Sequence, residues 1–214
     1  MIKTANLVAT LAAETGLDFD RVQLTTRRLR EAGLFTKENR SPKSPRPTYR
    51  DAAHLLVMLM SDQPAGFAEK TIERAQNLII EAESHKHTTG NHYAPLEAPL
   101  SVFQREDHNL IDALEALIEY AVFNLSTFTP DYAAPSEFSV SFDRHRFSAD
   151  IYLDISESDP LARIRGEKKI NVFLHYSEWG SLAADAAPKA FTVECQIGAG
   201  VFHAIGQLFA RGED

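Results

Sequence analysis

The apolar residues of this chain change their spacing near Pro130, and that change limits the folds open to it. Before Pro130 they recur at helical intervals; after it they alternate up to Ile197. Phe138, Val140 and Phe142 alternate with Ser139 and Ser141. Phe147, Ala149, Ile151, Leu153 and Ile155 alternate with Ser148, Asp150, Tyr152 and Asp154. A helix returns to the same face every 3.6 residues and a strand every two, so the first part reads as helical and the second as a sheet. The short link at Arg144–His145 makes the two alternating runs a hairpin. Ile170, Val172, Leu174 and Tyr176 predict a third strand, and Phe191, Val193, Cys195 and Ile197 a fourth. Behind Gly198–Gly200, the residues Val201, Phe202, Ile205, Leu208 and Phe209 predict a closing helix. The expected class is α+β, ending in a four-stranded antiparallel sheet with a helix.

The helical part divides at its turn residues. Leu7, Leu11 and Ala12 give a first helix over residues 4–14, closed by Thr15–Gly16. Asp18 is a cap for a second helix over 19–32, whose inward residues are Val22, Thr25, Thr26 and Leu29 and which Gly33 stops. Leu34–Phe35 reads as a short strand. Residues 36–48 hold three prolines and read as a loop. Thr48 and Asp51 form a capping box for a third helix over 49–60, with Ala52, Leu55, Leu56 and Leu59 as its stripe. A linker at 61–66 precedes a fourth helix over 67–84, and a loop-like stretch over 85–105 precedes a fifth over 107–124. The expected domains are 1–62, a helical and oligomerising middle at 67–125, and an α+β part at 126–214.

Charge is divided in the same way. Although the net charge is −8, residues 21–50 hold nine bases (Arg21, Arg27, Arg28, Arg30, Lys37, Arg40, Lys43, Arg46 and Arg50) against two acids, Glu31 and Glu38. Residues 61–214 hold 12 bases against 24 acids. Local potential governs phosphate binding, so a basic module on an acidic body is compatible with nucleic acid. The single cysteine, Cys195, excludes an intrachain disulfide and any zinc site made of several cysteines. No apolar run is long enough to span a membrane and the amino end lacks a signal-like apolar stretch, so a cytoplasmic protein with no membrane partner is expected.

Residues 7–35, LVATLAAETGLDFDRVQLTTRRLREAGLF, resemble the helix-turn-helix of winged-helix regulators of the MarR, IclR and GntR type. The resemblance rests on Leu11, Ala12, Thr15, Gly16, Leu17, Val22, Leu29, Ala32, Gly33 and Leu34, with both glycines in register. It implies an N-terminal winged helix-turn-helix that binds double-stranded DNA, with 19–32 as recognition helix and a wing within 36–48. The outward residues of that helix are Asp20, Gln23, Leu24, Arg27, Arg28 and Glu31, and Gln and Arg contact base edges bidentately. Arg21 and Arg30 flank this face. The DNA-binding set is therefore Arg21, Gln23, Leu24, Arg27, Arg28, Arg30, Lys37, Arg40, Lys43, Arg46 and Arg50.

One such helix buries little surface, so self-association is expected, with the fourth and fifth helices as the assembly surface. The expected function is that of a non-enzymatic, sequence-specific transcriptional regulator without a cofactor. The acidic C-terminal part is then available for a protein partner or small ligand. In layout the chain also resembles phage-like DNA-packaging components such as small terminase subunits. Asp154 with Glu167-Lys168-Lys169 faintly resembles a metal-dependent nuclease site. His85, His87, His92 and His108 match no compact zinc motif and read as an ordinary polar loop. Gly198-Ala199-Gly200 reads as a strand-to-helix turn, and Cys195 as a buried, inert thiol.

Overall fold

A computed structural model describes residues 3–37, 46–80, 86–88, 98–105, 107–125, 137–155, 170–178 and 194–211. Among the described residues it is an α+β structure with six α-helices and an antiparallel sheet. Helix α1 spans Thr4–Thr15 and ends at Gly16, whose φ of 67° is the left-handed conformation that glycine adopts at little cost. Helix α2, Phe19–Glu31, starts where the Asp18 carboxylate accepts from the amides of Asp20 and Arg21. Its inner stripe is Val22, Thr25, Thr26 and Leu29. The two buried threonines are satisfied within the helix, donating to Arg21 O at 3.0 Å and Val22 O at 2.8 Å.

Helix α3, Tyr49–Ser61, opens on the capping box of Thr48 and Asp51. Every residue from Asp51 to Ser61 is buried, so this helix has no outer face. A helix apolar all round belongs at the centre of a fold, and α2, α4, α5, β3 and β6 all pack against it. The expected single stripe described only one of its contact surfaces.

Helix α4 is shorter than expected: it spans Ala68–Gln76, and Leu78–Ile80 is a strand, β1. Leu78 and Ile79 continue the helical spacing of Ala75, so period alone extended the helix too far. Lys86–Thr88, expected as loop, is a second short strand, β2. Leu34–Phe35 is not a strand.

Helix α5, Leu110–Leu125, begins where Asn109 and Asp112 exchange side-chain to backbone hydrogen bonds. Strands β3 (Glu137–Asp143), β4 (Ser148–Ile155), β5 (Ile170–Glu178) and β6 (Glu194–Gly198) fall where alternation places them, and helix α6 spans Ala199–Ala210. The sheet order is β1-β5-β4-β3-β6. β2 lies beside β1 on the same edge of β5, pairing with residues 170–172 while β1 pairs with 176–178. The sheet thus has two short edge strands more than the four expected.

Val140, Phe142, Ile151, Leu153, Leu174 and Tyr176 point inward and join one apolar core with the helices. That core runs from Leu7 to Phe209 and crosses both expected domain boundaries, because α6 packs on α1 and α5. With both α3 and α6 against it, α5 is a core helix, and its Leu110, Leu114, Leu117 and Ile118 are fully buried rather than available for assembly. Cys195 is half-buried against the core. Among the described residues, no helix is long and apolar enough to cross a membrane.

Helices α5 and α6 approach closely at Gly206 of α6. A Cβ there would lie 2.9 Å from the Ala121 backbone carbon of α5. Gly206→Ala should therefore force the two helices apart and cost about 1–3 kcal/mol, read as a lower urea midpoint. An unchanged midpoint would mean that α5 and α6 do not meet this closely.

Candidate nucleic-acid interface

The exposed side of α2 carries Phe19, Asp20, Gln23, Leu24, Arg27, Arg28 and Glu31. Its opposite side is fixed by Val22 and Leu29, both fully buried. Phe19 and Leu24 are large apolar side chains left 43% and 49% exposed. They border a cleft of about 600 Å³ between α2 and the first turns of α1, lined also by Ala5, Val8, Gln23 and Arg27.

The arginines picked from the sequence fall into two groups. Arg27 and Arg28 stay on the exposed face, both bonded to the Glu31 carboxylate: Arg27 Nε donates to Oε1 at 2.8 Å and Arg28 Nη1 to Oε2 at 2.9 Å. The Arg27 hydrogen bond holds the Glu31 carboxyl below its ordinary value. The other group is engaged with residues from elsewhere in the fold. Arg21 pairs with Asp62, which sits in a left-handed conformation just past α3. The same carboxylate takes Arg144 Nη1 at 3.1 Å, while Arg144 Nε donates to Met60 O at 2.8 Å. Arg50 bonds Asp112 at 2.9 Å and Glu115 at 3.4 Å on α5. Burial raises the Glu115 carboxyl despite Arg50 beside it. Arg30 is half-buried: its Nη2 reaches Thr4 Oγ1 at 3.3 Å, its guanidinium lies 5.8 Å from the Phe35 ring centroid, and its Nε has no hydrogen-bond partner among the described residues.

Lys37 and Arg46 are exposed at the two ends of the proline-rich loop. Arg40 and Lys43, and with them the expected wing, lie outside the described residues. The loop's stems, however, are joined by one buried side chain that the sequence marked only as a helix cap. Asp51 is 5% exposed and accepts from Thr36 N at 2.9 Å and from Thr48 N at 2.7 Å. A single carboxylate thus holds the residues where the loop leaves and returns. Next to it, His54 Nδ1 donates to Leu34 O at 2.7 Å, tying α3 to the turn after α2. Burial lowers the His54 pKa, and its Nε2 is buried without a hydrogen-bond partner among the described residues.

The remaining sequence candidates are accounted for in part. His108 is fully buried: its Nδ1 donates to Arg105 O and its Nε2 accepts from the Tyr176 hydroxyl, each at 2.6 Å. Burial raises the Tyr176 phenol well above its ordinary value, which keeps the donor protonated. That pair is core architecture. His85, His92, Glu167, Lys168 and Lys169, and the side chains of His87 and Asp154, lie outside the described residues. Among the described residues no group of histidines, cysteines and acids is arranged to hold a metal. Strand pairing alone brings together His175 Nδ1 and Asp150 Oδ1, a cross-strand pair missed by sequence reasoning, 2.6 Å apart on the outer side of the sheet near the exposed Tyr152 and Phe173.

Comparison with family models, with curated proteins and with solved structures finds no match to this chain.

Two outcomes test the local architecture. Asp51→Ala removes a buried acceptor shared by two loop stems and should cost about 2–4 kcal/mol in chemical unfolding, with Asp51→Asn recovering part of it. A loss under ~0.5 kcal/mol, the size of an ordinary surface substitution, would show that the clamp is not formed. For His54 the folded state favours the neutral ring, so below the ordinary value of 6.5 the unfolded chain binds the extra proton. Stability should therefore fall as pH drops through that value and level off below the lowered folded-state value. His54→Asn, which retains a donor to Leu34 O, should reduce this dependence; identical pH profiles of the two proteins would contradict it.

Proposed function

We propose that the exposed face of α2, with the basic loop beside it, is a DNA-binding surface, and that the chain acts as an oligomeric, sequence-specific transcriptional regulator. The observation that carries this reading is the stripe Gln23, Leu24, Arg27 and Arg28 on a helix locked from behind by Val22, Thr25, Thr26 and Leu29. A recognition helix needs that combination of a fixed backbone and a polar, reaching outer face. Gln23 and Arg27 have the donor patterns for adenine and guanine edges, and Leu24 suits a thymine methyl. The helix-turn-helix resemblance of residues 7–35 and the surplus of bases at 21–50 support the same reading. Lys37, Arg40, Lys43 and Arg46 serve as phosphate contacts from the wing position. Arg21 and Arg50, each bonded to acids from other elements, serve to hold the module together.

A second reading is favoured by one observation. Phe19 and Leu24 are too apolar for a surface that meets only phosphate, and the cleft they border suits an apolar anchor from a protein. On that reading the chain is an assembly component of a phage-like packaging apparatus. Solution mass separates the two: a dimer favours the regulator and a closed ring of many copies favours assembly.

Arg27→Ala and Arg28→Ala should each weaken binding to a selected duplex by about 1–3 kcal/mol, the value of one good base contact. Arg40→Ala, Lys43→Ala and Arg46→Ala should weaken binding to every duplex and flatten the log–log salt slope by about 0.9 per lost contact. Unchanged affinity in the first pair would remove α2 as the reader, and an unchanged slope in the second set would remove the loop.

A further inference from the structure

Glu31 is the only acid within residues 21–37, and it lies on the exposed face of α2 in direct contact with both outward arginines. The two contacts differ in kind. Arg27 is gripped through Nε, so this hydrogen bond uses neither of its two Nη groups, which form the outer edge of the guanidinium. Arg28 is gripped through one Nη, a corner of that outer edge. Bidentate contact with the O6 and N7 of guanine takes two adjacent guanidinium N–H groups. Arg27 can make it without leaving Glu31. Contact with a phosphate draws an arginine outward instead and sets the Glu31 carboxylate near the negative backbone.

We infer that Glu31 is a specificity-determining positioning residue of the DNA interface: it presents the outer edge of Arg27 to a base while opposing indiscriminate phosphate contact by Arg27 and Arg28. This rests on the DNA-binding reading above. The carboxylate lowers affinity for all duplexes and lowers it least where the base contact is made. Glu31 is exposed and is not one of the buried residues of α2, so its replacement is expected to leave the fold in place.

The test compares the full-length chain with Glu31→Gln, which keeps the side chain's size and removes its charge. A duplex site is first selected from a random pool with the unaltered protein. Affinities for that site and for a random duplex are then measured over a series of salt concentrations. Glu31→Gln is expected to bind the random duplex about threefold to tenfold more tightly, with a salt slope steeper by up to about one, as for one added phosphate contact. The ratio of selected to random affinity should fall by a similar factor. Glu14→Gln, an exposed acid on α1, is the control for net charge alone and should change neither slope nor ratio. If the unaltered chain binds but Glu31→Gln leaves slope and ratio unchanged, or Glu14→Gln reproduces the shifts, the role of Glu31 is overturned. If the unaltered chain shows no salt-dependent duplex binding, the DNA reading itself fails, and the inference with it.

Discussion

A helix with no outer face is the constraint on which the rest of this molecule depends. From Asp51 to Ser61 every residue of α3 is buried, so each side of it must be covered by something. α2 and α4 take one part of its surface, α5 another, and β3 and β6 the remainder. The amino-terminal helices and the carboxy-terminal sheet are therefore held by the same element. Polar anchors at its two ends fix the orientation. At the start, Asp51 and His54 hold the stems of the basic loop and the turn after α2. At the end, Met60 O and Asp62 receive Arg144 from the β3–β4 turn, and Asp62 also pairs with Arg21 of α2.

This arrangement changes what the basic segment means. Counted along the chain, its bases have almost no acids near them. In the folded molecule Asp62, Asp112 and Glu115 come from distant positions to meet Arg21 and Arg50. Such pairs at the surface add little to stability, but they settle which charges are committed to the fold. The other exposed bases described in this segment, Arg27, Arg28, Lys37 and Arg46, lie on α2 and at the two stems of the proline-rich loop. A smaller and better defined face results, in which Arg27 and Arg28 share one carboxylate and two apolar side chains border a cleft.

Much of this is legible in the sequence, where local chemistry decides the outcome. Gly16, Asp18, Gly33 and the Thr48–Asp51 pair fix helix ends by conformational preference or capping, and each does so here. Alternation from Phe138 to Ile155 gives a hairpin because one face must be apolar. What was not legible depends on partners far along the chain. Strand β1 is hidden because Leu78 and Ile79 fit a helix as well as a strand, and its pairing with β5 lies about a hundred residues away. The stripe assigned to α3 missed the burial of Ala53, Val57, Met58 and Met60, although a helix this apolar on all sides carried the signal. At the site, Gln23, Leu24, Arg27 and Arg28 face outward by helical spacing alone. The commitment of Arg21 and Arg50, and the second role of Asp51, could be seen only once the acids and loop stems were in place.

The central claim is that the outward face of α2 is where duplex DNA is met. Mapping the amide resonances of the full-length chain during titration with a short duplex tests it most directly. The account predicts that shifts gather over Asp20–Glu31 and at Lys37 and Arg46, and weaken together as salt is added. Shifts confined to the sheet around Tyr152 and Phe173, or none at all, would contradict it.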